Sequence, residues 1–222
     1  MTDPAPMLAA RGAGRQFGSQ LGVRATELDV NEGEVLALIG PNGAGKSTLL
    51  ALLAGALEPT EGRIEVRPGV RVGWMPQRPA HYGRLSALQN LELFARLEGE
   101  RDPVGVAEQL LREHELPADD RPSTELSVGN RQRLNLAITM LGGPDVLLLD
   151  EPTASLDPRQ RRRLWESAGR LRESGGAVVL ATQNVEDLER IADRVAVLLD
   201  GRLVFAGSLD EYHASEAAEA LL

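Results

Sequence analysis

The residues best suited to chemistry form one short stretch, Gly40-Pro41-Asn42-Gly43-Ala44-Gly45-Lys46-Ser47-Thr48. It follows an apolar run, Val35 to Ile39, and precedes another, Leu49 to Leu53. The pattern G-x-x-x-x-G-K-[ST] between a buried strand and a helix is that of a loop that cradles phosphates. Glycines let backbone N–H groups curl around phosphate oxygens without Cβ clashes, and the helix N-terminus adds partial positive charge. Lys46 is expected to neutralise the β- and γ-phosphates and Ser47 to ligate Mg²⁺. A Gly-rich turn that merely happens to contain Lys-Ser is the bland alternative, and the flanking strand and helix argue against it.

A second group of chemical residues ends another apolar run, Val146-Leu147-Leu148-Leu149-Asp150-Glu151. Asp150, at the carboxyl end of that strand, is expected to hold Mg²⁺ through water, as in other P-loop NTPases. A second carboxylate beside the metal ligand suits polarisation of an attacking water, which makes Glu151 a candidate base and implies hydrolysis over transfer to a substrate. The loop by itself leaves kinases, GTPases and transport ATPases open.

These residues need a scaffold, and the apolar runs supply it. Val35 to Ile39, Val146 to Leu149, Ala177 to Ala181 and Val195 to Leu199 lack polar alternation, as strands covered on both faces do. Helix-length segments separate them, so the class is α/β with a mainly parallel sheet flanked by helices. Residues from about 78 to 140 break that rhythm: Ser86 to Leu97 and Val104 to His114 read as helices, with Ser86 and Gln89 spaced as a capping box. This stretch is expected to be a helical subdomain. Arg24 to Val30, Arg63 to Val66 and Val70 to Met75 suggest a small antiparallel sheet, and Leu209 to Leu222 an acidic C-terminal helix. Residues 1–222 are expected to form a single domain.

Composition narrows the partners. The 222 residues carry a net charge of -9 with no long basic tract beyond Arg161-Arg162-Arg163, which disfavours nucleic acid and anionic lipid surfaces. Cysteine is absent, which removes disulfide and thiolate chemistry. The start MTDPAPMLAA does not read as a secretory signal. The longest apolar stretch, Leu49 to Leu57, has nine residues against the roughly 20 that a spanning helix needs. Any membrane role is therefore expected to come through a partner. His81, His114 and His213 lack metal-type spacing and read as surface or loop residues. Trp74 and Met75 read as core, and Leu164, Trp165, Ala168 and Leu171 as the packing face of a helix.

Taken in order, the motifs resemble the nucleotide-binding domain of ABC ATPases over nearly the whole chain. Leu126-Ser127-Val128-Gly129-Asn130 looks like the family's signature motif, Ser155-Leu156-Asp157 like its D-loop, and Gln77 in Met75-Pro76-Gln77 like the Q-loop glutamine, a Mg²⁺ ligand. Phe17 lies where the family commonly places an aromatic that stacks on adenine. The resemblance implies ATP and Mg²⁺ as ligands and two such domains head to tail, with Ser127, Gly129 and Asp157 completing the other copy's site. It implies a separate transmembrane permease as partner, and hence a place on the cytoplasmic face of the membrane. The 50 positions from Gln77 to Ser127 lean towards export.

Two departures stand out. Val128 replaces the signature's first glycine, and a valine tolerates positive φ badly. Gln183, in Ala181-Thr182-Gln183, stands where the family has a histidine that contacts the γ-phosphate. An amide can donate a hydrogen bond there but carries no proton or charge, so hydrolysis is expected to be slowed. A homodimer is favoured, with a heterodimer having one weak site as the alternative. Competing functions are a nucleotide-gated regulatory or mechanical subunit and a non-transport ABC ATPase.

Overall fold

The computed structural model describes residues 5–78, 80–153, 156–183 and 190–219. Nine strands and seven α-helices are assigned among them. Six strands form the main sheet: β3 (Val35–Ile39), β5 (Val72–Met75), β6 (Val146–Asp150), β7 (Ala177–Thr182), β8 (Arg194–Leu199) and β9 (Arg202–Ser208). Their order is β5-β6-β7-β3-β8-β9, parallel except for β9, which pairs antiparallel with β8. Every residue of β3, β6 and β7 is buried, the reason these strands read as unbroken apolar runs.

A three-stranded antiparallel sheet has β1 (Leu8–Phe17) between β2 (Gln20–Val30) and β4 (Glu61–Val66). Helix α1 (Lys46–Leu53) lies between the sheets, and its Leu49, Leu50 and Leu53 share one core with Leu8, Val23 and Val30 of the small sheet and Leu36, Leu148 and Val179 of the large one. The antiparallel sheet therefore takes in Arg24 to Val30 and Arg63 to Val66 as expected, but not Val70 to Met75. That segment joins the main sheet as its parallel edge, in register from Val72 opposite Val146 to Met75 opposite Leu149. Asp145 fixes the pairing, accepting from the Arg71 N–H at 2.8 Å while donating its own N–H to the Arg71 carbonyl at 2.9 Å. Four residues of mixed size carry no signal that separates the two pairings.

Helices α2 (Ala87–Leu97), α3 (Pro103–Glu113) and α4 (Val128–Thr139) have a core of their own around Leu91, Ala95, Ala107, Leu134 and Ala137. The Ser86–Gln89 capping box is present. Asn90, fully buried, ties residues 82–86 to α2 by accepting from the Tyr82 N–H at 2.7 Å and donating to the Ser86 carbonyl at 2.9 Å. Helix α5 (Pro158–Glu173) buries Leu164 and Ala168 against the main sheet, with Trp165 and Leu171 packed beside them. Met75 is buried, and Trp74 packs against the core from a half-buried position. Glu115, just past α3, meets Arg163 of α5 at 2.7 Å, Arg159 of α5 at 3.7 Å and Arg133 of α4 at 3.8 Å. The expected C-terminal helix is two short ones, α6 (Leu209–His213) and α7 (Glu216–Glu219). Buried Tyr212 anchors the first, and the Ser215 hydroxyl turns back to the Tyr212 carbonyl at 2.7 Å, ending the helix.

Candidate functional site

The strand order places β5, β6, β7 and β3 side by side and parallel, so the segments leaving their carboxyl ends meet at one edge. Those segments carry Gln77, Asp150–Glu151, Gln183 and the Gly40–Thr48 loop. Open parallel sheets bind ligands in that position.

The loop's glycines are required by space and by backbone angle. Gly40 has φ 152°, and a Cβ there would lie 2.1 Å from the Leu198 carbonyl oxygen of β8. Gly45, at φ 103°, is the N-cap of α1, and a Cβ on it would lie 2.6 Å from the Gly22 carbonyl oxygen and 2.9 Å from Val23 Cγ2. Only glycine meets both demands. Lys46 opens the helix with 7% of its surface exposed, its ammonium donating to the Gly40 carbonyl at 2.7 Å and the Pro41 carbonyl at 3.1 Å. Burial pulls its pKa below the ordinary lysine value, opposed by the Glu151 and Asp150 carboxylates. The ammonium is held on the loop's own carbonyls, facing two acids.

Asp150 is 2% exposed. Burial raises its pKa, against hydrogen bonding from the Ser47 hydroxyl, the Lys46 charge and the Gln77 backbone N–H. Its Oδ1 is buried and has no hydrogen-bond partner among the described residues. A buried carboxylate oxygen left open beside a hydroxyl is a donor set suited to a hard divalent cation. Gln77 reaches Asp150 through its backbone, while the residue itself is exposed.

Glu151 adopts φ 48°, uncommon for a side chain of its size, and its N–H donates to the Ala181 carbonyl at 2.9 Å. The turn directs the carboxylate towards β7, where Gln183 Nε2 donates to Glu151 Oε1 at 3.2 Å and to Asn42 Oδ1 at 2.7 Å. One amide thus joins the candidate base to the loop. The link between residues 42 and 183 is not readable in the sequence, since 141 positions separate them.

Other expected residues lie apart. Ser127 is the N-cap of α4 and accepts from the Asn130 N–H at 3.2 Å, while Asp157 caps α5 in a reciprocal box with Gln160. No hydrogen bond or ion pair among the described residues joins Ser127, Gly129 or Asp157 to residues 40–48. Val128 is the first residue of α4 and is not among the described residues with positive φ, so the anticipated backbone conflict does not arise; its side chain is 54% exposed. Ser155 of the D-loop lies outside the described residues. Phe17 ends β1 beside the loop: a Cβ on Gly22 would lie 2.8 Å from its ring, and the Gly22 carbonyl abuts Gly45. Arg15, to which the sequence reading gave no role, lies over the Phe17 ring. Of the histidines, His81 and His114 lie in loops and His213 is exposed, and His81 is half-buried with Nδ1 2.9 Å from the Ser123 hydroxyl.

A family model described as ABC transporter matches residues 23–154. The chain is 38% identical over 221 residues to the daunorubicin resistance ATP-binding protein DrrA3 of Streptomyces coeruleorubidus, covering 94% of this chain and 70% of that protein. It is 34% identical over 223 residues to the Nod factor export ATP-binding protein I of Ralstonia nicotianae, covering 93% and 68%. Among solved structures, the ATP-binding cassette MJ0796, a dimer in a post-hydrolysis state bound to ADP and Pi, shares the fold with a TM-score of 0.80 at 24% identity, over 91% of this chain and 99% of that one. A structure of an ATP binding subunit of an ABC transporter superposes with a TM-score of 0.81 at 26% identity, over 97% and 99%.

Proposed function

Because the chain belongs to the ABC transporter family of ATP-binding domains, we propose that it is the ATP-hydrolysing motor subunit of an ABC exporter, closing on a second ATPase subunit around ATP and thereby driving a separate transmembrane permease. The observation that carries this reading is the convergence of Lys46, Asp150, Glu151 and Gln183 on one glycine-lined loop. Backbone N–H groups of residues 40–48 bind the phosphates. Lys46 leaves its carbonyl partners to neutralise the β- and γ-phosphates. Glu151 holds the attacking water, and the Gln183 amide orients Glu151 with one hydrogen while the other, released from Asn42, turns as a neutral donor towards the γ-phosphate.

Mg²⁺ fits the open Asp150 Oδ1 and the Ser47 hydroxyl, with Gln77 as a further ligand, and when bound would supply charge neutralisation on the phosphates. Ser127, Gly129 and Asp157 act in trans: the Ser127-capped start of α4, with Val128 exposed beside it, suits a phosphate presented by the other subunit, and exposed Asp157 meets that subunit's site. Phe17 is the adenine-stacking residue. Residues 1–222 work as one domain, with about 78–140 as the helical arm that meets the permease. No helix among the described residues is long and apolar enough to cross a membrane, in keeping with a peripheral position on the cytoplasmic face through that partner. Export rests on the two relatives, whose names record drug resistance and Nod factor export. Nucleic acid has no part, given the charge of -9.

A second reading, a nucleotide-gated subunit with slow turnover, is favoured by Gln183 alone. ATP hydrolysis by the purified chain beside a Glu151→Gln variant, with size-exclusion chromatography in ATP and Mg²⁺, separates the two. Concentration-dependent turnover that disappears in the variant, leaving an ATP-trapped dimer, supports a homodimeric motor. ATP binding with neither turnover nor dimer points to a heterodimer or to gating.

A further inference from the structure

Phe17 presents an unusual combination: an aromatic ring that is 44% exposed at a strand end yet fixed from the protein side. The Arg15 guanidinium lies over the ring, 5.0 Å from its centroid, within the range of a cation–π interaction. Arg15 is itself pinned, because Nη1 donates to the Glu58 carbonyl just beyond α1 at 2.8 Å. Its Nε is buried without a hydrogen-bond partner among the described residues, a cost that holding the guanidinium at the ring imposes. The Cδ2–Cε2 edge of the ring faces Gly22, where any side chain would intrude: a Cβ would lie 2.8 Å from Cε2. Gly22 in turn abuts Gly45 of the phosphate loop. The ring is therefore clamped between a pinned cation and a strand that cannot carry a side chain, at a fixed offset from the loop.

Resting on the reading that this is a nucleotide site, we propose that Arg15 is a positioning residue for the nucleobase, acting through Phe17. With one face under the guanidinium and one edge against Gly22, the exposed remainder of the ring is where a planar base lies. The cation fixes the ring's tilt and draws π density towards itself, which makes the opposite face a better partner for an electron-rich purine. Arg15 contributes to the base and not to the phosphates.

The test is calorimetric titration of the purified chain with Mg-ATP and, as a base-free probe, Mg-tripolyphosphate, using Arg15→Leu, Phe17→Leu and the double variant. A partly exposed cation–π contact gives a loss of about two- to fivefold in ATP affinity for Arg15→Leu. Removing the stacking platform costs roughly tenfold or more in Phe17→Leu. The double variant is expected to match Phe17→Leu, and tripolyphosphate binding to be unchanged throughout. An Arg15→Leu loss that persists undiminished without Phe17, or that is equally large for tripolyphosphate, overturns the proposal and assigns Arg15 to bracing the Glu58 turn. Phe17→Leu without effect on ATP overturns the base platform while leaving the nucleotide site standing. Wild-type chain that binds neither probe overturns both.

Discussion

Restoring a histidine at position 183 tests the catalytic geometry most directly. The Gln183 amide spends its hydrogens on Asn42 Oδ1 at 2.7 Å and Glu151 Oε1 at 3.2 Å, so the parent site is held by neutral-donor bonds. The Asn42 bond joins neutral groups and is worth about 0.5–1.5 kcal/mol net, and the Glu151 bond is charge-assisted through its carboxylate alone; a charged donor brings the first into the range of about 1.5–3 kcal/mol and makes the second an ion pair. An imidazolium placed there, beside the Glu151 carboxylate and the γ-phosphate, gains about 1.4 kcal/mol over the amide in the transition state, or roughly tenfold in kcat. The gain also has a pH signature. It depends on the charged ring, so the ratio of Gln183→His to parent turnover is expected to fall as pH rises through the imidazole range, near 6.5 when unperturbed. The assay is steady-state phosphate release by the chain assembled with its partners, between pH 6 and 8.5 at saturating Mg-ATP. Turnover in Gln183→His equal to or below the parent at every pH refutes the claim that the amide limits hydrolysis.

Asp150→Asn is expected to abolish Mg-dependent hydrolysis yet stabilise the nucleotide-free fold by about 1 kcal/mol, or roughly 2–4 °C in Tm for a chain of this size. Its folded pKa is raised by burial, so the ionised group's cost is fully present above that pKa and vanishes as pH falls below the unfolded value; scanning calorimetry without nucleotide at pH 7.5 reads it. His81 and His114 have folded pKa values held below 6.5, mainly by burial, so the unfolded chain binds more protons and stability is lost as pH falls through 6.5. A His81→Gln variant is expected to lose less Tm than the parent between pH 7.5 and 5.5. Gly40→Ala is expected to abolish ATP binding or destabilise the fold by several kcal/mol, since its Cβ would meet a backbone oxygen at 2.1 Å; filter binding and thermal melts distinguish the two.

The buried strands β3, β6, β7 and β8 were legible because parallel strands covered on both faces become uninterrupted Val/Ile/Leu runs. The glycine-rich turn of residues 40–45 from β3 to α1 was legible because its glycines answer local steric demands. Helix α2 announced itself through the Ser86–Gln89 box. What escaped was what long-range pairing decides. Val72–Met75 has no pattern that tells a parallel edge from a hairpin arm, and its place is fixed by Asp145, more than seventy positions away. The break after Tyr212 hangs on one serine hydroxyl and one buried ring. Val128 was misjudged because glycine at a motif position suggests positive φ, whereas the residue after an N-cap is already helical. The Asn42–Gln183–Glu151 chain and the Arg15–Phe17 contact follow from tertiary proximity, to which no periodicity points.

Gly40 meets β8 at the carbonyl of Leu198, and a carbonyl is the same whatever side chain position 198 carries. The spacing between the phosphate loop and the strand behind it is thus read from the main chain. Drift in the sequence of β8 can reshape the core around Val195 and Val197 without moving the nucleotide's seat. At Gly40 the loop is insulated from its neighbour's side chains, whereas a Cβ on Gly45 would lie 3.2 Å from Leu198 Cδ2, so the burden of preserving the loop's geometry is shared by two glycines.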